Sequence, residues 1–405
     1  MNACLSGGFT SFAFSSFFIG IIGFSTALVA QYLGAGKHPN CPKVLTQTII
    51  FSCLSTPILL ILIPVGRWVL ATAGLSEGEM AQAQTYLTIL MAGNALDLFR
   101  QSFNGYFGGL GKTRVVLLST FAMAIANIFA NYILIFGKLG FPAMGIMGAG
   151  YGTLFAWFVG LITLCVVFFN LIQFPEYQLL KSFQLDIEIL KKLVRFGLAS
   201  GLRITLLIFA IDLTILTFQS YSVEVSTAIT VVFTWFQTLF IPVIGLEIGT
   251  MSLAGRFVGA RDPDSASDSV FSGLFLASCY ALILSLACLA VTHAMVELFL
   301  EPDSSVATRD LAIWGTQLNA FLMFILAWSS ILGGALRGAG DTYGVMFISA
   351  GFWWLQYALV VILIHMLGLH PDDVLTIYVL SSPLLLVAMV MRFRSGIWRK
   401  FELAR

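Results

Sequence analysis

The sequence predicts an all-α polytopic membrane protein, two repeated six-helix bundles of which eleven helices are visible. Three observations carry that reading. Hydrophobic residues make up 59% of the 405 residues and charged residues only 10%, with a mean hydropathy of +0.94. Soluble chains are roughly half apolar and roughly a quarter charged. Apolar stretches long enough to span hydrocarbon, about 20 residues of helix, recur along the whole chain. Two glycine motifs also repeat at almost one spacing.

The candidate spans lie near 8–33, 45–70, 82–106, 114–137, 146–172, 195–220, 226–253, 269–294, 309–333, 345–367 and 373–392. Pro57, Pro64, Pro242 and Pro383 fall inside them and predict kinks, which a bundle tolerates by re-satisfying the freed backbone groups. A net charge of +1 and the lack of a long basic block argue against a nucleic-acid partner. The cysteines (Cys4, Cys41, Cys53, Cys165, Cys279 and Cys288) form no CxxC pair and read as small apolar packers.

Sixteen of the 21 lysines and arginines fall on one side of this topology, among them Lys37, Lys43, Lys112, Arg114, Arg337 and the C-terminal cluster. That side is the cytoplasmic one, which places the C-terminus inside and the loops near Glu77 and Asp303 outside. Gly34 in Ala30–Gly36 and Gly259 in Gly255–Arg261 are 225 residues apart, and Thr113 after Gly108–Lys112 and Thr342 after Arg337–Asp341 are 229 apart. Both motifs run from membrane into cytoplasm, so the duplication is parallel. By that offset the partner of the 195–220 helix would precede residue 1, and the expectation is six helices plus six with the first absent here. The resulting domains are an N-terminal lobe, 1–174, a linker, 175–194, and a C-terminal lobe, 195–405. In the linker Ile187, Leu190, Leu193 and Val194 share a helical face apart from Lys191 and Lys192, as an interfacial helix would.

Asn131–Gly137, Gly140–Ile146 with Gly148–Gly150, Val29–Gly36 and Leu336–Thr342 resemble the multidrug and toxic compound extrusion (MATE) family, over essentially the whole chain. The resemblance implies two lobes splayed in a V around a central cleft. It also implies antiport: export of drugs or small organic, often cationic, compounds against protons or sodium ions. The setting would be a cell (inner) membrane, with the chain a monomer that has a small-molecule substrate and the bilayer as partners. No cofactor is expected beyond the coupling H+ or Na+, and no metal beyond possible sodium.

Charged or strongly polar side chains inside a bilayer are functional candidates by default. Asn127 and Asn131 stand four apart on one helical face, and Thr153 lies at a similar depth on the next helix, ~12 Å from the outer end. Three oxygen-bearing side chains thus form a candidate ion site in the N-terminal lobe. Similar proteins carry an aspartate where this chain has Asn131, so the lobe lacks a carboxylate there, and hydrogen bonding between helices is the plainer role. In the other lobe Asp212 and Glu247 are the ion-coupling candidates, with Gln237 a possible polar neighbour of Asp212; Leu326 stands near the family's third acid position. Asp97 and Arg100, three apart, predict an intrahelical pair, with Arg100 reaching towards the cytoplasm. Asn94 and Gln237 are candidates for the substrate cleft, where soft and aromatic side chains would hold apolar cations.

Two other readings compete. A lipid-linked oligosaccharide flippase would need a strongly cationic cavity, and Arg203 is the only deep arginine of the C-terminal lobe. A membrane enzyme would need clustered catalytic groups, but His38, His293, His365 and His370 are dispersed and neither HExxH nor GxSxG occurs.

Overall fold

Glycine turns divide the chain into long helices, as the motifs predict. The computed structural model describes residues 2–71, 77–170, 179–300, 304–401 and 403. Pro175 and the start of the expected linker, and the expected outer loop at Asp303, lie outside the described residues. The helices are α1 (Asn2–Gly23), α2 (Ser25–Gly34), α3 (Asn40–Ile61), α4 (Ile63–Ala71), α5 (Glu77–Gly109), α6 (Thr113–Phe136), α7 (Ile146–Asn170) and α8 (Leu179–Ser182). They continue as α9 (Ile187–Gln219), α10 (Val223–Gly259), α11 (Pro263–Glu297), α12 (Val306–Ala339), α13 (Thr342–Val361), α14 (Pro371–Leu380) and α15 (Pro383–Arg394). No strand occurs among the described residues.

Ten helical stretches among the described residues are long and apolar enough to cross a membrane, from Ser6–Gly34 to Pro371–Arg394. They match ten of the eleven expected spans. The eleventh, 82–106, lies in α5, which carries Glu77, Glu79, Asp97 and Arg100 and is not among the ten. Pro57 and Pro242 sit inside α3 and α10, as expected. Pro64 and Pro383 instead stand in the first turn of α4 and α15, where the missing N–H costs nothing. An unforeseen kink lies in α11 at Val291 (φ −121°, ψ 20°), with no proline to announce it.

The chain divides into two compact units, Met1–Thr205 with Leu403–Arg405, and Leu206–Glu402. The division falls inside α9. In unit 1, α5 is the hub and packs against α1, α3 and α7, while α6 lies along α7. In unit 2, α12 is the hub, packed against α10, α11, α14 and α15. These hubs are the two helices that end in the repeated glycine motifs, so the duplication seen in sequence is a duplication of packing. The turns after them need left-handed backbone at Gly111 (φ 71°) and Gly340 (φ 108°), where a Cβ would strain.

Unit 1 also holds the start of α9. Gly197 and Gly201, four apart, face Phe17, Gly20 and Ile21 of α1 with their backbones almost touching. A Cβ at Gly201 would lie 2.5 Å from the Phe17 carbonyl oxygen, and one at Gly20 2.6 Å from the Gly201 Cα. One turn on, the Ser16 and Thr205 hydroxyls are 3.1 Å apart. Small residues at four-residue spacing on both partners are how membrane helices approach closely. Gly201→Val should therefore lower the yield of folded, monodisperse protein severely. Gly249→Ala, at a helical glycine with open space around it, should leave the melting temperature unchanged or slightly raised.

Candidate coupling sites

Each unit carries polar groups inside its helical bundle, and their pairing separates structural charges from available ones. In unit 1, Asn131 Nδ2 donates to Asn127 Oδ1 at 3.1 Å. The Asn131 Oδ1 atom is buried without a hydrogen-bond partner and lies 2.2 Å from where a Cβ on Gly152 would stand. The glycine thus lets α7 close over the asparagine pair. Thr153 faces elsewhere: its hydroxyl donates to the Ala149 carbonyl at 2.9 Å and bonds with the Tyr86 phenol of α5. The structure brings the asparagines together and gives Thr153 a separate set of neighbours.

Tyr86 was not foreseen, yet a spacing marks it. Tyr86, Gly93 and Arg100 follow one another at seven residues along α5, and all three meet α7, at Thr153, Leu154 and Gly160 respectively. Arg100 forms the expected intrahelical pair with Asp97, buried rather than reaching for the cytoplasm. Its Nε and Nη2 donate to Asp97 Oδ1 at 2.9 and 2.5 Å, and both residues are buried. Asn94 is also corrected: rather than lining an open cleft it is 2% exposed. It shares the α5 stripe of Leu87, Met91 and Leu98, the face buried in the unit 1 core.

In unit 2, Glu247 of α10 is hydrogen-bonded to Arg337 of α12, and both are buried. Arg337, expected in a cytoplasmic loop, lies in the last turn of α12. This answers the expectation of Glu247 as an ion-coupling acid: its carboxylate has an arginine as counter-charge. Asp341 is matched in the same way, accepting two bonds from Arg392 at 2.6 and 2.8 Å.

Asp212 differs. It sits two turns from the C-terminal end of α9, half-buried, with no hydrogen bond or ion pair among the described residues. The suggested neighbour Gln237 is exposed and does not bond to it. The preceding residue, Ile211, lines a cavity of about 10 Å3, walled by Phe233, Phe236, Trp353 and Tyr378, with Asn319 the polar member. Asn319 Nδ2 is held by the Val232 carbonyl at 3.0 Å. No cluster of three or more His, Cys, Asp or Glu residues suited to a metal occurs among the described residues.

The family model MatE matches residues 4–133 and 200–362. The chain belongs to the MatE family. The matched ranges contain the asparagine pair, Asp212 and Glu247, whereas Thr153 lies between them. A probable multidrug resistance protein NorM of Halalkalibacterium halodurans is 30% identical over 342 residues, covering 81% of this chain and 72% of that protein. The uncharacterized transporter YisQ of Bacillus subtilis is 25% identical over 383 residues, 92% and 82% of the two chains. Among solved structures, the outward-facing conformation of a multidrug resistance MATE family transporter of the MOP superfamily superposes with a TM-score of 0.85 at 20% identity, over 98% of this chain and 88% of that one. A MATE fold and a MatE sequence make this chain a multi-pass membrane transporter and not an enzyme.

The buried pairs of this MatE protein differ from surface ion pairs in what their loss costs. Removing one partner strands a charge, at about 3–5 kcal/mol, whereas replacing both is often neutral. Arg337→Met should lower the melting temperature in detergent markedly. Adding Glu247→Gln should restore most of the loss. Equal destabilisation by the single and the double variant would show that the pair does not act as one.

Proposed function

We propose that this protein is a secondary antiporter that exports small organic, often cationic, compounds in exchange for protons or sodium ions, with Asp212 as the ion-coupling carboxylate. The observation that carries the reading is the pairing pattern. Asp97, Glu247 and Asp341 each face an arginine, whereas Asp212 has no partner among the described residues. An acid kept in a membrane helix without a counter-charge is expensive, and a mobile cation is the partner left to it. The relatives described as probable multidrug resistance proteins favour the export of drugs.

In this reading the asparagine pair of unit 1, neutral throughout, can ligate sodium but cannot itself carry a proton near neutral pH. We infer a monomer in the cell (inner) membrane with lobes at 1–174 and 195–405 and a linker at 175–194, the first turns of α9 packing with unit 1 as far as Thr205. The excess of lysine and arginine on one side supports a cytoplasmic C-terminus.

Asp212→Asn should abolish gradient-driven efflux of a fluorescent organic cation from proteoliposomes, with expression and melting temperature preserved. Full transport by that variant would return Asp212 to a packing role. For sidedness, a cysteine placed at Glu77 should react with an impermeant maleimide in intact cells, while one at Lys112 should react only after lysis; the opposite pattern would invert the topology.

A further inference from the structure

The linker side of unit 1 holds a polar cavity apart from the candidate coupling residues. It is about 280 Å3 in volume and opens between the end of α2, the start of α3 and the segment entering α9. Lys37, Asn40 and Lys43 stand on its walls together with Asp186 and Glu188, and Tyr32 lines it as well. Both signs of charge are therefore present. Lys43 Nζ meets Asp186 Oδ2 at a loose 3.4 Å, and Glu188 holds Lys192 at 2.9 Å.

The acidic wall is built rather than draped. Asp186 Oδ1 accepts the Ile189 N–H at 3.2 Å and so caps α9. The Asp186 N–H donates to Gln47 Oε1 at 3.1 Å, and Gln47 Nε2 donates to the Gln184 carbonyl at 2.9 Å. Gln47 itself is fully buried, at 0% exposure. Alongside, alternate residues of the same segment present large apolar side chains outwards: Phe183 is 52% exposed, Leu185 59% and Ile187 70%. An apolar ridge next to charged groups belongs at the boundary between acyl chains and headgroups.

We propose that this cavity binds the headgroup of a zwitterionic phospholipid bearing a primary ammonium, an ethanolamine phosphate. The phosphate lies against Lys37, Asn40 and Lys43, the ammonium against Asp186 and Glu188, and the acyl chains along Phe183, Leu185 and Ile187. A purely basic pocket would select anionic lipid; here the carboxylates reject a second negative charge and accept N–H donors. A choline headgroup, which has no N–H, loses those bonds.

The full chain, purified and equilibrated with equal amounts of phosphatidylethanolamine, phosphatidylcholine and phosphatidylglycerol of one acyl composition, tests this by native mass spectrometry. The ethanolamine lipid should be retained about tenfold over the choline lipid. Lys43→Met and Asp186→Asn should each remove the preference with the melting temperature unchanged, since asparagine still caps a helix. Ile187→Ser should weaken retention of the lipid but not of soluble O-phosphoethanolamine. Equal retention of the three lipids by the wild type, or a preference that survives both headgroup substitutions, would overturn the proposal. Soluble O-phosphoethanolamine displacing the lipid at equal concentration, with Ile187→Ser without effect, would overturn the lipid as occupant. The assay needs neither substrate nor gradient, so its failure leaves the proposed antiport untouched.

Discussion

Hydrocarbon offers no hydrogen bonds, so a charge carried into the membrane must find its counter-charge within the protein. Three acids of this chain meet that constraint with arginine as the partner. Asp97 is matched within its own helix, Glu247 across to the next hub helix, and Asp341 across the end of α15. Arginine suits the task because its planar fork binds a carboxylate through two donors and never loses its proton. The two Arg392 bonds to Asp341 show that geometry in full. With these acids neutralised in place, they serve as fixed joints of the fold.

The same absence of water explains the role of the glycines. Between membrane helices lipid is as apolar as leucine, so association rests on close packing rather than on exclusion from water. At Gly20 and Gly201 the α1 and α9 backbones approach until no Cβ would fit, and the Ser16 and Thr205 hydroxyls, each also bonded to a carbonyl of its own helix, meet at the same crossing. Gly152 serves a different end, opening room on α7 for the Asn131 side chain. One residue type thus fixes helix contacts in one place and admits a polar group in another.

Much of this was legible in the sequence because the bilayer imposes a length and the duplication imposes an offset. Apolar runs gave ten spans directly, and the two glycine motifs identified α5 and α12 as equivalents before their hub positions were known. Side-chain partners were less legible. Asp97 with Arg100 could be read, since three residues along a helix bring side chains together. Glu247 with Arg337 could not, because they are 90 residues apart and Arg337 sits in a motif that reads as a loop. Asn94 was misplaced for a related reason: its polarity suggested an open cleft, while its spacing with Leu87, Met91 and Leu98 marks a buried stripe. Tyr86 is marked in the sequence only by its seven-residue step to Gly93 and Arg100.

The contrast between Asp212 and its matched counterparts bears on how an antiporter of the proposed kind would work. A carboxylate bonded to arginine has no reason to exchange ions, because any incoming cation must first displace a guanidinium. An unpartnered carboxylate must instead be neutralised by whatever cation reaches it: a proton, a sodium ion or a cationic substrate. Its one negative charge makes those occupants mutually exclusive, and mutual exclusion at a shared charge is the thermodynamic core of exchange. The cost of leaving the charge bare discourages the empty state, which is the state through which a leak would pass. On this reading the missing arginine beside Asp212 is what distinguishes a coupling acid from a structural one, more than depth in the membrane or residue type.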